Sequence, residues 1–209
     1  MKTNRLLPVM IILLAIACKP GNKPDVSQLD LPILGERYVD DNQDTVYHRI
    51  ADFSLVNQLG DTITNSDVSG KVYVADFFFT SCPTICPVMK KEMLRVYEKY
   101  QENPNFKILS HSIDVAHDTP EVLKDYAERL GVNDARTWNF LTGDQEKIFE
   151  LGQTSYLTTA MADQLEPGGF LHSGAFLLID QQGRIRGVYD GTKSDQVDRL
   201  INDIPKILK

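Results

Sequence analysis

Two cysteines, Cys82 and Cys86, are separated by three residues in the run Thr80-Ser81-Cys82-Pro83-Thr84-Ile85-Cys86-Pro87. The spacing is C-x3-C, one residue wider than C-x-x-C, which makes a loop roomy enough for both sulfurs to converge on one metal ion. The thiolate is both the metal-binding and the nucleophilic form of cysteine, so one pair can ligate an ion or cycle through a disulfide. Cys86 should lie at or just before a first helical turn, where free N–H groups and the helix dipole favour the thiolate. Two sulfurs leave an ion short of a ligand, and the chain has four histidines, His48, His111, His117 and His172. His172 differs by context. It follows Gly168-Gly169-Phe170-Leu171 and stands just ahead of an apolar run at 176–179. Asp76 lies six residues before Cys82 in an apolar run, where a buried carboxylate either passes protons to a thiol or is held by hydrogen bonds. Asp114 closes a second apolar run and can orient a site or stabilise a turn. Met89 and Met93 are one helical turn apart, a spacing that more often marks core than metal ligation.

These residues need elements to hold them. Residues 72–79 form a continuous apolar run broken only by Asp76, the pattern of a strand buried on both faces. A helix fits 88–101, a strand 106–113, a helix opened by Thr119-Pro120-Glu121 and closed at Gly131, a strand 138–141 and a short helix 144–151. Residues 152–171 are polar, glycine-bearing and irregular. Strands at 176–179 and 184–189 flank a Gln181-Gln182-Gly183 turn, and Ser194 caps a final helix over 195–208. Upstream, 38–47 and 53–64 each read as a β-hairpin. The order is that of an α/β, thioredoxin-like domain: a central mixed sheet with flanking helices, extra N-terminal hairpins and an extra helix. The cysteine pair would join its first buried strand to its first long helix.

The 209 residues carry a formal net charge of −7, which argues against a nucleic-acid partner. No apolar run is long enough for a conventional membrane span. The third cysteine has a different context. Lys2 and Arg5 precede an apolar stretch over 6–17 that ends Ala15-Ile16-Ala17-Cys18. This is the layout of a bacterial secretory signal, and a cysteine straight after the cut resembles a lipobox, with Ala15 where Leu is commonest. The expected organisation is a signal over 1–17, lipidated Cys18 with a Pro-rich tether over 18–34, and a domain over 35–209. The domain would sit on the periplasmic side of a bacterial cell membrane.

The run from Asp76 to Pro87 resembles the Sco/SenC family (synthesis of cytochrome c oxidase). So do Ser112-Ile113-Asp114 with Asp118-Thr119-Pro120, Phe140-Leu141-Thr142-Gly143, His172-Ser173 and Leu177-Leu178-Ile179-Asp180 with Gly183-Arg184. The matches follow family order from about residue 50 to the end. The resemblance implies a thioredoxin-like fold and a copper site made of Cys82, Cys86 and His172, serving the copper centre of cytochrome c oxidase subunit II. The donor set suits that metal: soft thiolates favour Cu(I), imidazole also serves Cu(II), and zinc competes for the same ligands. Thioredoxin-like reductases carry a cis-proline just before the strand corresponding to 176–179, and this chain has no proline between Gly168 and Ile204. The expected function is therefore a membrane-tethered copper chaperone. A thiol-disulfide reductase using Cys82 and Cys86 as its redox pair, and a redox or copper sensor, are the alternatives.

Overall fold

The computed structural model describes residues 30–208. The proposed signal, Cys18 and most of the tether lie outside the described residues. Among those described, no helix is long and apolar enough to cross a membrane.

The chain opens with two hairpins: β1 (Arg37–Val39) with β2 (Thr45–Tyr47), then β3 (Ser54–Asn57) with β4 (Thr62–Thr64). A single helical turn, α1 (Asn65–Val68), follows. Thr64 and Asp67 form its capping box, with the Thr64 backbone N–H donating to Asp67 at 2.8 Å. The alternating core then runs β5 (Val72–Phe78), α2 (Cys86–Tyr100), β6 (Phe106–Ser112), α3 (Pro120–Arg129), β7 (Trp138–Thr142) and α4 (Gln145–Glu150). A π-helical turn, Leu151–Ser155, continues α4. The rest is β8 (Ala160–Ala162), β9 (Phe170–His172), β10 (Ala175–Ile179), β11 (Ile185–Asp190) and α5 (Ser194–Ile207).

Seven strands form the main sheet in the order β11-β10-β5-β6-β7-β3-β4. β5, β6 and β7 are parallel, and β10 and β3 close each side of that trio antiparallel. Parallel neighbours require crossovers, and α2 and α3 supply them. The sheet is thus mixed and thioredoxin-like, as the element order predicted. β5 lies at its centre with all of its residues buried, which is why its sequence shows no alternation. α2 covers the face that carries Asp76 and Ser110, and α3 brings Tyr126 against Phe78 and Phe140 on that same face. The turn after α4 packs on the opposite face. There a Cβ on Gly152 would come 3.2 Å from the Phe77 ring, and Phe77 stacks on His111 at 4.9 Å. The chain before β1 straps the start of edge strand β11, with the Leu34 N–H donating to Ile185 at 2.8 Å and Arg186 Nε donating to Pro32 at 3.0 Å. The start of an otherwise open sheet edge is covered in this way.

Three local features differ from the sequence expectation. α1 was absent from it, because one turn of helix leaves no periodicity to read. Ser194 is the first helical residue of α5; Lys193 holds the capping position and makes no side-chain cap bond. The stretch 152–171 is not wholly irregular: it contains the π turn and a small antiparallel ribbon pairing β8 with β9, Ala160 opposite His172. Its arms are three residues each, and Ala160-Met161-Ala162 carries no polar–apolar alternation.

Candidate metal centre

The site forms where the end of β5 meets the start of α2. After Phe78 the chain turns, with the Cys82 N–H donating to the Phe79 carbonyl at 3.3 Å. Ile85 takes the helix-capping position, Cys86 is the first helical residue and Pro87 follows in the first turn, where its missing N–H costs nothing. Asp118 holds the turn from outside. Fully buried, it accepts from the Thr80 N–H at 3.0 Å, from the Thr80 hydroxyl and from the Ser112 hydroxyl at 2.5 Å.

The third donor arrives on β9. Gly168, at φ +88°, lets the chain close over Phe79; a Cβ there would sit 2.7 Å from the Phe79 ring. Phe170 and His172 then pack against Phe79, with ring centroids 5.4 and 5.7 Å away. The His172 Nε2 lies 3.3 Å from Cys86 Sγ and 3.9 Å from Cys82 Sγ. On the other side of the ring, Nδ1 lies 3.2 Å from the Ser173 carbonyl. A carbonyl only accepts, so Nδ1 carries the proton in neutral His172 and the Nε2 lone pair faces the sulfurs, the tautomer a metal ligand needs.

Cys82 Sγ, Cys86 Sγ and the His172 imidazole lie within 4.8 Å of one another, and all three residues are buried. Two soft sulfurs and one borderline nitrogen suit Cu(I), Cu(II) or Zn(II). The three residues singled out in the sequence are thus brought together, and the donor chemistry fits a metal ion.

The two thiols differ. Burial pushes up the Cys86 thiol, and this outweighs the helix N-terminus that was expected to favour its thiolate. Burial also opposes the Cys82 thiolate. There, a hydrogen bond from His172 when Nε2 carries a proton, together with hydrogen bonds from the Thr84 hydroxyl at 3.5 Å and from the Thr84 and Cys86 N–H groups, outweighs burial and holds the thiol of the metal-free site down to about 6. The expectation of a helix-start thiolate was therefore attached to the wrong cysteine, because Cys86 is sealed under the turn while Cys82 is surrounded by donors.

The other histidines are elsewhere. His48 Nε2 lies 2.6 Å from the Ser155 carbonyl. His111 is buried between Phe77 and Tyr156, and burial depresses it to about 4, so it is a neutral core residue at physiological pH. Met89 and Met93 are core residues with no exposed surface. Asp76 makes no hydrogen bond to either cysteine; Lys90 and Ser110 hold it. Asp114 is half-buried and bonds none of the three ligands; burial and then Asp118 push its carboxyl up. Sequence reading missed Lys90, Thr84 and the clamp by Asp118. A lysine four residues after Cys86, with an unexplained aspartate in the preceding strand, was the available signal for the first.

A model of the SCO1/SenC family matches residues 41–209. The chain belongs to the SCO1/SenC family. It is 30% identical over 164 residues to the SCO1 protein homolog of Bacillus subtilis, covering 78% of this chain and 84% of that protein. A SCO1/SenC family lipoprotein from Bacillus anthracis superposes with a TM-score of 0.69 at 31% identity, over 77% of this chain and 95% of the other. Copper-bound ScoI from Bradyrhizobium japonicum gives a TM-score of 0.61 at 23% identity, over 76% and 98% of the two chains, a likeness of fold. Among the described residues, Cys82, Cys86 and His172 are those whose donor atoms cluster as a metal site.

The asymmetry of the thiols predicts their chemistry. In the reduced, metal-free protein, iodoacetamide should label Cys82 first. The rate should rise through pH 6 and level off above about pH 7, because the thiolate fraction is then nearly complete. Mass spectrometry after timed quenching reads this directly. A Cys82 rate still climbing between pH 8 and 9, as for an ordinary thiol, would contradict the geometry.

Proposed function

We propose that this chain is a copper chaperone that loads the copper centre of an oxidase, with subunit II of cytochrome c oxidase as its acceptor. The observation that carries the proposal is the aim of the His172 Nε2 lone pair at two clustered sulfurs. Cys82, Cys86 and His172 would hold the ion as cargo. Dithiolate plus imidazole accommodates both common oxidation states of copper, which a carrier meeting changing redox conditions requires. The acceptor follows from the family resemblance. The lipoprotein relative and the lipobox-like run before Cys18 support a lipid anchor that keeps the domain on the outer face of the cell membrane.

A second reading, a thiol-disulfide reductase, is favoured by the pairing of a low-pKa Cys82 with a buried Cys86, the arrangement of an attacking and a resolving thiol. The two activities exclude each other in time, because a Cys82–Cys86 disulfide consumes both sulfur ligands.

Anaerobic titration of the reduced protein, followed by exposure to the soluble domain of oxidase subunit II, separates the readings. One copper per chain should bind, the disulfide form should bind none, and copper should pass to the acceptor. His172→Ala should weaken Cu(II) binding at least tenfold more than Cu(I) binding, since two thiolates alone hold Cu(I). Weak copper binding by the parent, with rapid disulfide turnover that survives His172→Ala, would replace the chaperone with the reductase.

The anchor has its own test. Cys18→Ser should abolish fatty-acid labelling and leave copper binding intact. A parent that takes up no fatty acid would refute the lipid anchor.

A further inference from the structure

Beneath the three ligands, α2 and β5 trap a lysine in the core. Lys90 is 1% exposed, and its Nζ donates to Asp76 Oδ2 at 2.5 Å and to the Ser110 hydroxyl at 3.0 Å. The same Nζ stands 4.0 Å from the Phe78 ring centroid, a cation–π contact. Asp76 is fully buried, and its other oxygen accepts from the Ser110 hydroxyl at 2.5 Å. The Trp138 indole N–H donates to Ser110 at 2.9 Å, so every polar group of the cluster is partnered.

A buried ion pair is a poor source of net stability, because desolvation of both charges offsets their attraction. Stability alone therefore does not account for a cation at this point of the core. Its place on α2 does. Lys90 follows Cys86 by four residues on one helix, so the two lie on the same face one turn apart, with Cβ atoms about 6 Å from each other. Of the paired charges, the lysine shares an element with the ligand, and the aspartate stands across the interface on β5.

We propose that Lys90, held in place by Asp76, is a positioning residue that biases the metal centre toward the monovalent ion. The proposal rests on the copper reading above. Two thiolates and a neutral imidazole carry two negative charges, so the loaded site has net charge −1 with Cu(I) and zero with Cu(II). A fixed cation one helical turn away stabilises the first state and leaves the second nearly unaffected. In a buried site with weak dielectric screening, that difference is on the order of tenfold in relative affinity, after partial cancellation by Asp76. The Lys90 charge also favours the Cys86 thiolate, in the same direction.

The test is the ratio of Cu(I) to Cu(II) affinity in the full chain, each measured against a competing chelator. The double variant Asp76→Asn/Lys90→Gln removes both charges and keeps near-isosteric, hydrogen-bonding side chains. Its ratio should fall about tenfold. A purely structural role would weaken both oxidation states by the same factor, so a double-variant ratio within twofold of the parent's overturns the proposal. Lys90→Gln alone removes the cation, so its ratio should fall whether the remaining Asp76 stays ionised or takes up a proton. A ratio that holds or rises there overturns the proposal even if the double variant does not fold. A parent that binds no copper overturns this inference together with the copper reading. A parent that binds both ions with a ratio indifferent to these substitutions overturns this inference alone.

Discussion

His172 must present an unprotonated Nε2 to two sulfurs that precede it by 86 and 90 residues. No local structure can meet that requirement. The strand β10 lies antiparallel beside β5 in the sheet, which brings the chain just before β10 to the same end as the turn leaving β5. The β8–β9 ribbon then sets the register of His172 opposite Ala160, and Gly168 permits the close approach over Phe79. The Ser173 carbonyl fixes the tautomer. Removing the hydrogen bond would free the ring to present a proton to the sulfurs instead of a lone pair.

The same end of the sheet is unusually polar for a core. Asp118 with Thr80 and Ser112 holds the turn before Cys82, and Asp76 with Lys90, Ser110 and Trp138 lies under α2. Both groups are internally satisfied, which is the condition under which buried polar networks add rigidity rather than cost stability. One fixes where the cysteine turn sits; the other fixes a charge beneath it. The donors around Cys82 and the burial of Cys86 then give two neighbouring thiols opposite tendencies. That asymmetry is compatible with both proposed readings, metal binding and thiol chemistry.

The sequence made the alternating core legible because its strands are apolar on both faces and its helices carry explicit starts, such as Thr119-Pro120-Glu121. The three ligands were legible as well: the cysteines by spacing, His172 by its place ahead of β10 and by the family resemblance. What was not legible depends on packing. The β8–β9 ribbon is too short to show a period, and its register comes from contact with the rest of the domain. The order of the two thiol pKa values inverts the helix-dipole expectation, because burial depth is a property of the folded turn. The partner of Asp76 lay fourteen residues away on another element, and only the crossing of α2 over β5 shows that Lys90 is that partner.

The central claim is that Cys82, Cys86 and His172 together form one copper site. Copper K-edge X-ray absorption on the protein loaded with one equivalent of Cu(II) tests it most directly. The account predicts two sulfur scatterers and at least one imidazole nitrogen in the first shell, with the imidazole outer-shell pattern reduced in His172→Ala. A spectrum with nitrogen or oxygen scatterers only, or one unchanged by His172→Ala, would contradict it.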